Sequence, residues 1–381
     1  MPLLRVIEVS SFAVPRAGSF IPTLISLLAA ARERGWDGEA VFGAGARGQP
    51  WLAEFEQASV PVRFAPSTAR RRLRNWFEEL LDQTSEPVLV HCHFSDLDLP
   101  VLWGARSRRN TAVVWHVHTP LSRRPLVVLR NAVRFGLLGR RVDLILTPAP
   151  DMAAAIRRRG APAGRVQTFL NAIDPDRYPL ADAATRRSAR RELEVDADRL
   201  VLLHFGWDWH RKGGDLFLEA VARLRRNGRH VLAISITEAD AAFAKRTRLG
   251  LEHDVRLVPL GADVHHLLAA ADVMVTASRD EATAYAVMEA LATGTPVVAS
   301  QIPGHELIGE GLGACRLVPL DPGAIAGSVD DLVRRSPEVV AGDAREARLR
   351  IERDFSIGPW CKRMLDTYQE VMARRTGLAK D

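Results

Sequence analysis

A chain of two α/β domains is what this sequence predicts, on three observations. Its 381 residues exceed the usual size of one cooperative core. Short apolar runs alternate with helical stretches in a βα rhythm that pauses after residue 171 and restarts near 200. Residues 278–300, S-R-D-E-A-T-A-Y-A-V-M-E-A-L-A-T-G-T-P-V-V-A-S, read as one complete loop-helix-turn-strand unit. In it Ala, Met, Glu and Leu favour helix, Gly294 can close the helix in a left-handed conformation, and Thr295-Pro296 opens an extended segment.

In the first domain, 4–10 reads as a buried strand. A loop over 11–20 with Pro15 and Gly18 follows, then a helix from near Pro22 to about Arg34, with Gly35 beyond its end. That loop leaves the carboxyl end of the strand, where open parallel sheets bind ligands, although a single glycine there also fits an ordinary tight turn. Further strands are expected at 39–42, 88–92, 111–117 and 142–147. Between them, 70–77 is basic with Leu73, Trp76 and Phe77 on one helical stripe. A second basic segment, 123–141, sets Arg123, Arg124, Arg130, Arg134, Arg140 and Arg141 among Leu, Val and Phe. Each fits either a lipid interface or a solvated helix whose apolar side packs on the sheet.

The charged segment 181–199 reads as a linker or hinge. Beyond it, strands are expected at 200–205, 230–236, 255–259, 273–276, 297–299 and 316–318, with a helix at 215–224. Residues 349–375 read as terminal helix interrupted at Gly358-Pro359.

No apolar run reaches membrane-spanning length and the start leads straight into a strand, so a cytoplasmic protein is expected. Cys92, Cys315 and Cys361 are isolated, which fits reduced thiols and carries no zinc spacing. Residues 1–171 hold 23 arginines and no lysine against 14 acidic residues, whereas the whole chain is only +6. Basicity therefore belongs to the first half, where it suits an anionic membrane, an acidic acceptor or nucleic acid, or reflects genomic composition. A G-x-x-x-x-G-K-[ST] loop is absent, which argues against a P-loop ATPase.

Several groups could carry chemistry. Glu281 and Glu289 are eight residues apart; on a continuous helix that is about 12 Å along the axis and about 80° around it. They would touch opposite ends of an elongated ligand, or lie on a solvated face. In 204–215, H-F-G-W-D-W-H-R-K-G-G-D, Arg211 and Lys212 could neutralise a diphosphate beside the amides of Gly213 and Gly214, or form a solvated basic turn. His91 with His93, and His116 with His118, each face one side of a strand end, as structural histidines or as a metal pair. Asp96-Leu97-Asp98 reads as a polar loop.

In this order the stretches resemble the retaining glycosyltransferases of family 4. Glu281, Glu289-Ala290-Leu291-Ala292 and Gly294-Thr295-Pro296-Val297 match its E-x7-E signature, while Ala282, Thr283 and Ala284 depart from the Gly-aromatic-Gly part. Lys212-Gly213 matches the phosphate lysine segment, but Trp207 follows Gly206 where an arginine often stands, so the arginine role passes to Arg211. His118 ends W-H-V-H-T, similar to the segment whose last histidine faces the donor sugar. Ala17-Gly18 takes the place of the Gly-rich first loop, and Asn171, Ile173, Asp174 and Tyr178 match the entry to the second domain.

The resemblance implies an α/β protein of GT-B fold, two Rossmann-like domains facing across a cleft. It sets the domains at 1–170 on the acceptor side and 171–350 for the nucleotide sugar, with 351–381 as a helical segment bracing the first. It implies retaining transfer of a hexose-like unit from a UDP- or GDP-sugar to an acceptor hydroxyl, with no cofactor or metal. His118, Glu281, Arg211 and Lys212 take catalytic roles, and Gly18, Arg211, Lys212, Thr283, Ala284, Tyr285 and Glu289 bind the donor, Glu289 through the ribose diol. Partners implied are the nucleotide sugar and an acceptor; the Arg-rich first domain leaves open, beside a solvated face, peripheral contact with the inner face of an anionic membrane, and nucleic acid is not expected. The competing readings are a nucleotide-sugar epimerase or sugar-phosphate enzyme, and a noncatalytic sugar- or nucleic-acid-binding protein.

Overall fold

The computed structural model describes residues 3–94, 96–122, 124–196 and 198–377. Two compact units result: Met1–Ala172 together with Ile357–Asp381, and Ile173–Ser356.

The first unit runs β1 (Arg5–Ser10), α1 (Phe20–Glu33), β2 (Asp37–Phe42), α2 (Leu52–Gln57), β3 (Val62–Phe64), α3 (Arg70–Leu81), β4 (Val88–His93), α4 (Asp98–Gly104), β5 (Thr111–His116), α5 (Pro125–Val133), β6 (Leu144–Thr147), α6 (Pro150–Arg158) and β7 (Val166–Thr168). Its strands pair in parallel in the order β3-β2-β1-β4-β5-β6-β7. The order reverses between β1 and β4, where Ser10 lies beside His93. Central strands β4 and β5 are buried along their whole length, which is why they read as nearly continuous apolar runs. The edge strands β3 and β7 are three residues each, too short to leave a periodic signal in the sequence.

The second unit runs α7 (Ala183–Glu192), β8 (Leu200–Phe205), α8 (Gly214–Arg226), β9 (Val231–Ile236), α9 (Asp240–Arg248), β10 (Val255–Val258), α10 (Val264–Ala270), β11 (Val273–Thr276), α11 (Tyr285–Thr293), β12 (Val297–Ser300), α12 (Pro303–Gly309), β13 (Cys315–Val318), α13 (Pro322–Val333) and α14 (Pro337–Asp354). Its parallel sheet has the order β10-β9-β8-β11-β12-β13, with the reversal between β8 and β11. The expected linker at 181–199 is instead largely α7. The Asp182 carboxylate accepts from the Thr185 amide at its start, and Arg186 and Arg190 both pair with Asp272.

The last helix, α15 (Ile357–Thr376), returns to the first unit. There Trp360, Met364, Leu365 and Tyr368 share a core with Leu24, Leu27 and Leu28 of α1. The return begins at Ile357 rather than 351, because α14 continues to Asp354 and Phe355 stays in the second unit, its carbonyl accepting from the Ile173 amide at 2.9 Å. The predicted break at Gly358-Pro359 moves to Phe355-Ser356 for a related reason: Pro359 sits in the first turn of α15, where no backbone donor is needed. Pro22 is likewise in the first turn of α1, which starts two residues earlier than expected, at Phe20.

Candidate active site

In the second unit, the loops leaving β8 and β11 meet beside the strand-order reversal. His204, at the end of β8, hydrogen-bonds the Lys212 carbonyl at 3.1 Å and the Ser235 hydroxyl at 3.0 Å, so the 206–213 loop is tied back to its own strand. Gly213 caps α8 in a left-handed conformation with φ 68°. A Cβ there would lie 1.9 Å from the Ala277 carbonyl oxygen, so only glycine lets the two loops touch. The Arg279 amide donates to the Arg211 carbonyl at 2.8 Å, and its guanidinium grips Asp215 with two bonds of 2.9 and 2.8 Å.

This brings Glu281 to the basic pair. Lys212 is ion-paired with Glu281, the Ser278 hydroxyl donates to the same carboxylate at 3.0 Å, and Arg211 Nη1 stands 3.4 Å away. Burial opposes the charge on Glu281, but Lys212 and Arg211 outweigh it and hold the carboxyl below its ordinary range. Arg211 is also held by Asp208 at 2.8 Å, and the exposed Trp207 indole lies beneath both cations, 4.6 Å from the guanidinium carbon and 5.0 Å from the ammonium.

Glu281 is not on the helix. It stands four residues before α11, so the helical spacing expected between Glu281 and Glu289 does not exist. The chain is extended at Ala284, and the loop passes so close to α12 that a Cβ on Gly304 would lie 2.4 Å from the Glu281 carbonyl oxygen. Ala282, Thr283 and Ala284 are buried, Tyr285 opens α11 half-buried, and Glu289 is buried in the middle of that helix.

In the first unit, Gly18 adopts φ 55° in the exposed loop between β1 and α1. His118, just past β5, is half-buried with its Nε2 2.9 Å from His93 Nδ1. The Phe94 and Phe20 rings lie 4.9 and 5.6 Å from its imidazole, and His116 stacks on it at 4.0 Å. Phe94 has φ 63°, an unusual strain for an aromatic residue, placed at the end of β4.

His91 and His93 are structural in their surroundings. They are buried in the sheet with Glu8, His93 Nε2 lying 2.6 Å from its carboxylate. The ring nitrogens of His91, His93 and His116 lie within 4.8 Å of one another, close enough for a metal ion. Both nitrogens of His93 are, however, already hydrogen-bonded. The D-x-D segment is only partly a polar loop: Asp96 is exposed, but Asp98 is buried in the first turn of α4 and ion-paired with Arg134.

Sequence reasoning missed Glu8, Trp207, Ser278 and Tyr368. Of these only Glu8 leaves a local sign, an acid inside the apolar run R-V-I-E-V-S. Tyr368 matters through a partner 360 residues away, whereas Ser278 and Trp207 act on near neighbours, Glu281 and the Arg211-Lys212 pair, through loop conformations that no periodicity signals.

Two family models match the chain, "Glycosyltransferase Family 4" over residues 23–177 and "Glycosyl transferases group 1" over 199–335. The chain is 28% identical over 297 residues to a D-inositol 3-phosphate glycosyltransferase of Geodermatophilus obscurus, covering 71% of this chain and 64% of that protein. It is 30% identical over 145 residues to the lipopolysaccharide glucosyltransferase WaaG of Escherichia coli, 37% of this chain and 39% of that one. The chain thus spans less than two thirds of the length of these two relatives. Anabaena HepE, solved in complex with UDP-glucose, superposes with a TM-score of 0.82 at 20% identity, over 96% of this chain and 99% of that one.

Proposed function

We propose, for a chain that belongs to the GT-B glycosyltransferases related to family 4, retaining transfer of a hexose-like sugar from a UDP- or GDP-sugar to an acceptor hydroxyl. The observation that carries this reading is the meeting of Lys212, Arg211 and Glu281 at the strand-order reversal of a Rossmann-like sheet. Lys212 and Arg211 are held by Glu281 and Asp208, so a nucleotide diphosphate would draw two positioned cations from these partners, in a setting where burial strengthens the attraction.

In this reading Lys212 and Arg211 stabilise the charge that develops on the departing diphosphate. Glu281 holds both cations in place and orients donor hydroxyls. Thr283, Ala284 and Tyr285 line the donor, with Thr283 and Tyr285 tuning selectivity, and Glu289 accepts from the ribose diol. Gly18 gives the first loop close backbone approach, and His118 hydrogen-bonds a sugar hydroxyl. Positive side chains do the work of a metal here, and alignment with charge stabilisation supplies the rate. In this reading the first unit takes the acceptor and the second the donor, with α15 bracing the first.

The protein works on the cytoplasmic side, against anionic lipid. Among the described residues no helix is long and apolar enough to cross a membrane. Yet α5 and the turn after it expose Leu126, Leu129, Val133 and Leu137, flanked by exposed Arg124, Arg130, Arg140 and Arg141. Leucines on a face with arginines around it suit the boundary between acyl chains and headgroups. Arg134 is excluded from that role by Asp98, and Arg123 lies outside the described residues.

The deciding experiment is a mass-resolved screen of UDP- and GDP-sugars with lipid-linked and soluble acceptors. Acceptor gain of one glycosyl mass, lost in Lys212→Ala or Glu281→Ala, is the expected result. Absence of binding to any nucleotide sugar would overturn the reading.

A further inference from the structure

The buried groups of the first unit form one hydrogen-bonded chain whose polarity can be read from its charged end. Glu8 is fully buried in β1. Burial opposes its ionisation, but His91 and the hydrogen bond from His93 more than offset that and hold the carboxyl far below its usual range. A carboxylate only accepts hydrogen bonds. The Tyr368 hydroxyl, 2.7 Å from one oxygen, therefore donates to it, and His93 Nε2, 2.6 Å from the other, carries a proton.

The remaining protons follow in turn. Burial pushes the His93 pKa down to about 4, so the ring is neutral at pH 7 and its Nδ1 is an acceptor. The nitrogen 2.9 Å from it, His118 Nε2, must then donate. At the other end Tyr368, its proton spent on Glu8, accepts from His91 Nδ1 at 2.5 Å. His118 is left with Nδ1 as an acceptor, and the Phe94, Phe20 and His116 rings pack around the imidazole and oppose its turning over.

We infer that Glu8 is a positioning residue for His118: acting through His93, it fixes the Nε2–H tautomer and leaves Nδ1 to accept from a hydroxyl of the donor sugar. Tyr368, carried by α15, anchors the far side of the same carboxylate. The catalytic half of this inference rests on the role proposed for His118; the tautomer itself does not. A neutral histidine in the other tautomer would present a donor at Nδ1 and reverse the sense of that hydrogen bond.

The test is nitrogen-15 NMR of the full chain with labelled histidine at pH 7, using long-range proton correlations to read each tautomer. His118→Asn serves only to assign the signals. In the wild-type protein we expect protons on Nε2 of both His93 and His118, and in Glu8→Gln a mixed His118 population. A wild-type His118 protonated on Nδ1 overturns the inference without any variant. So does an unchanged tautomer in a folded Glu8→Gln, or zinc bound stoichiometrically to His91, His93 and His116, because His93 cannot ligate and keep both hydrogen bonds. In transfer assays Glu8→Gln should lower kcat roughly 10- to 100-fold with donor KM little changed. It should cost nothing further in a His118→Ala background, whereas an additive loss would mark a merely structural role. Should the transferase reading itself fail, the NMR arm still decides.

Discussion

Lys212 and Glu281 stand 69 residues apart and are ion-paired, each in the loop that leaves one of the two strands flanking the order reversal of the second sheet. The ammonium assigned to the diphosphate is therefore held by a carboxylate before any ligand arrives. Removing it in Lys212→Ala should lower kcat/KM by on the order of 100-fold or more. Lys212→Arg should recover only part, since a planar fork does not reproduce a compact charge. The complementary Glu281→Ala leaves a largely buried cation without its carboxylate and should cost about 3 kcal/mol, read from the urea midpoint.

The close approach of the loops makes two glycines sensitive for different reasons. Gly213→Ala meets both a left-handed backbone and the Ala277 carbonyl at 1.9 Å, so a stability loss of more than about 2 kcal/mol is expected. Gly304→Ala pushes on the Glu281 carbonyl, 2.4 Å away. Its larger effect should be on donor affinity, and calorimetry with UDP against the urea midpoint of each variant separates the two.

Acid should destabilise the protein through two buried histidines, while Asp98, which burial raises to about 7, and Asp143, which burial also raises, act in the opposite sense. Burial lowers the pKa of His93 and of His204 from 6.5 to about 4. In the unfolded chain both protonate near 6.5, so between pH 6.5 and 4 the unfolded state binds more protons and stability falls as pH falls. Each histidine contributes on the order of 3 kcal/mol when the window is fully crossed. Glu8, depressed from 4.5, adds a loss of the same sign at lower pH. The urea midpoint should fall between pH 6 and pH 5, where the two histidines together outweigh Asp98; an increase there would falsify the assignment of neutral buried histidines.

The exposed face of α5 predicts lipid binding that is separable from folding. Leu126→Glu with Leu129→Glu should abolish flotation with phosphatidylglycerol vesicles while leaving the thermal midpoint nearly unchanged, because both side chains already face water. Binding by the wild-type protein should weaken with salt, as expected for arginines at an anionic surface.

Much of the fold was legible because its determinants are local. Strands such as 200–205 and 273–276 read as apolar runs between turns, Gly294 does close α11 in a left-handed conformation, and the paired βα series announced two units. Signals also failed locally. The run 278–300 contained a helix, but helix-favouring letters could not show that Glu281 is held outside it by the passage of α12.

What the sequence determined by itself was the rhythm of the elements, the turn chemistry between them and the order of letters that resembles family 4. Tertiary structure alone decided the partnerships: Lys212 with Glu281, Asp98 with Arg134, and Glu8 with a tyrosine 360 residues later. The physical reason is range. Periodicity and capping act over a few residues, whereas a buried charge takes its partner from whichever strand or helix the sheet order and core packing bring beside it.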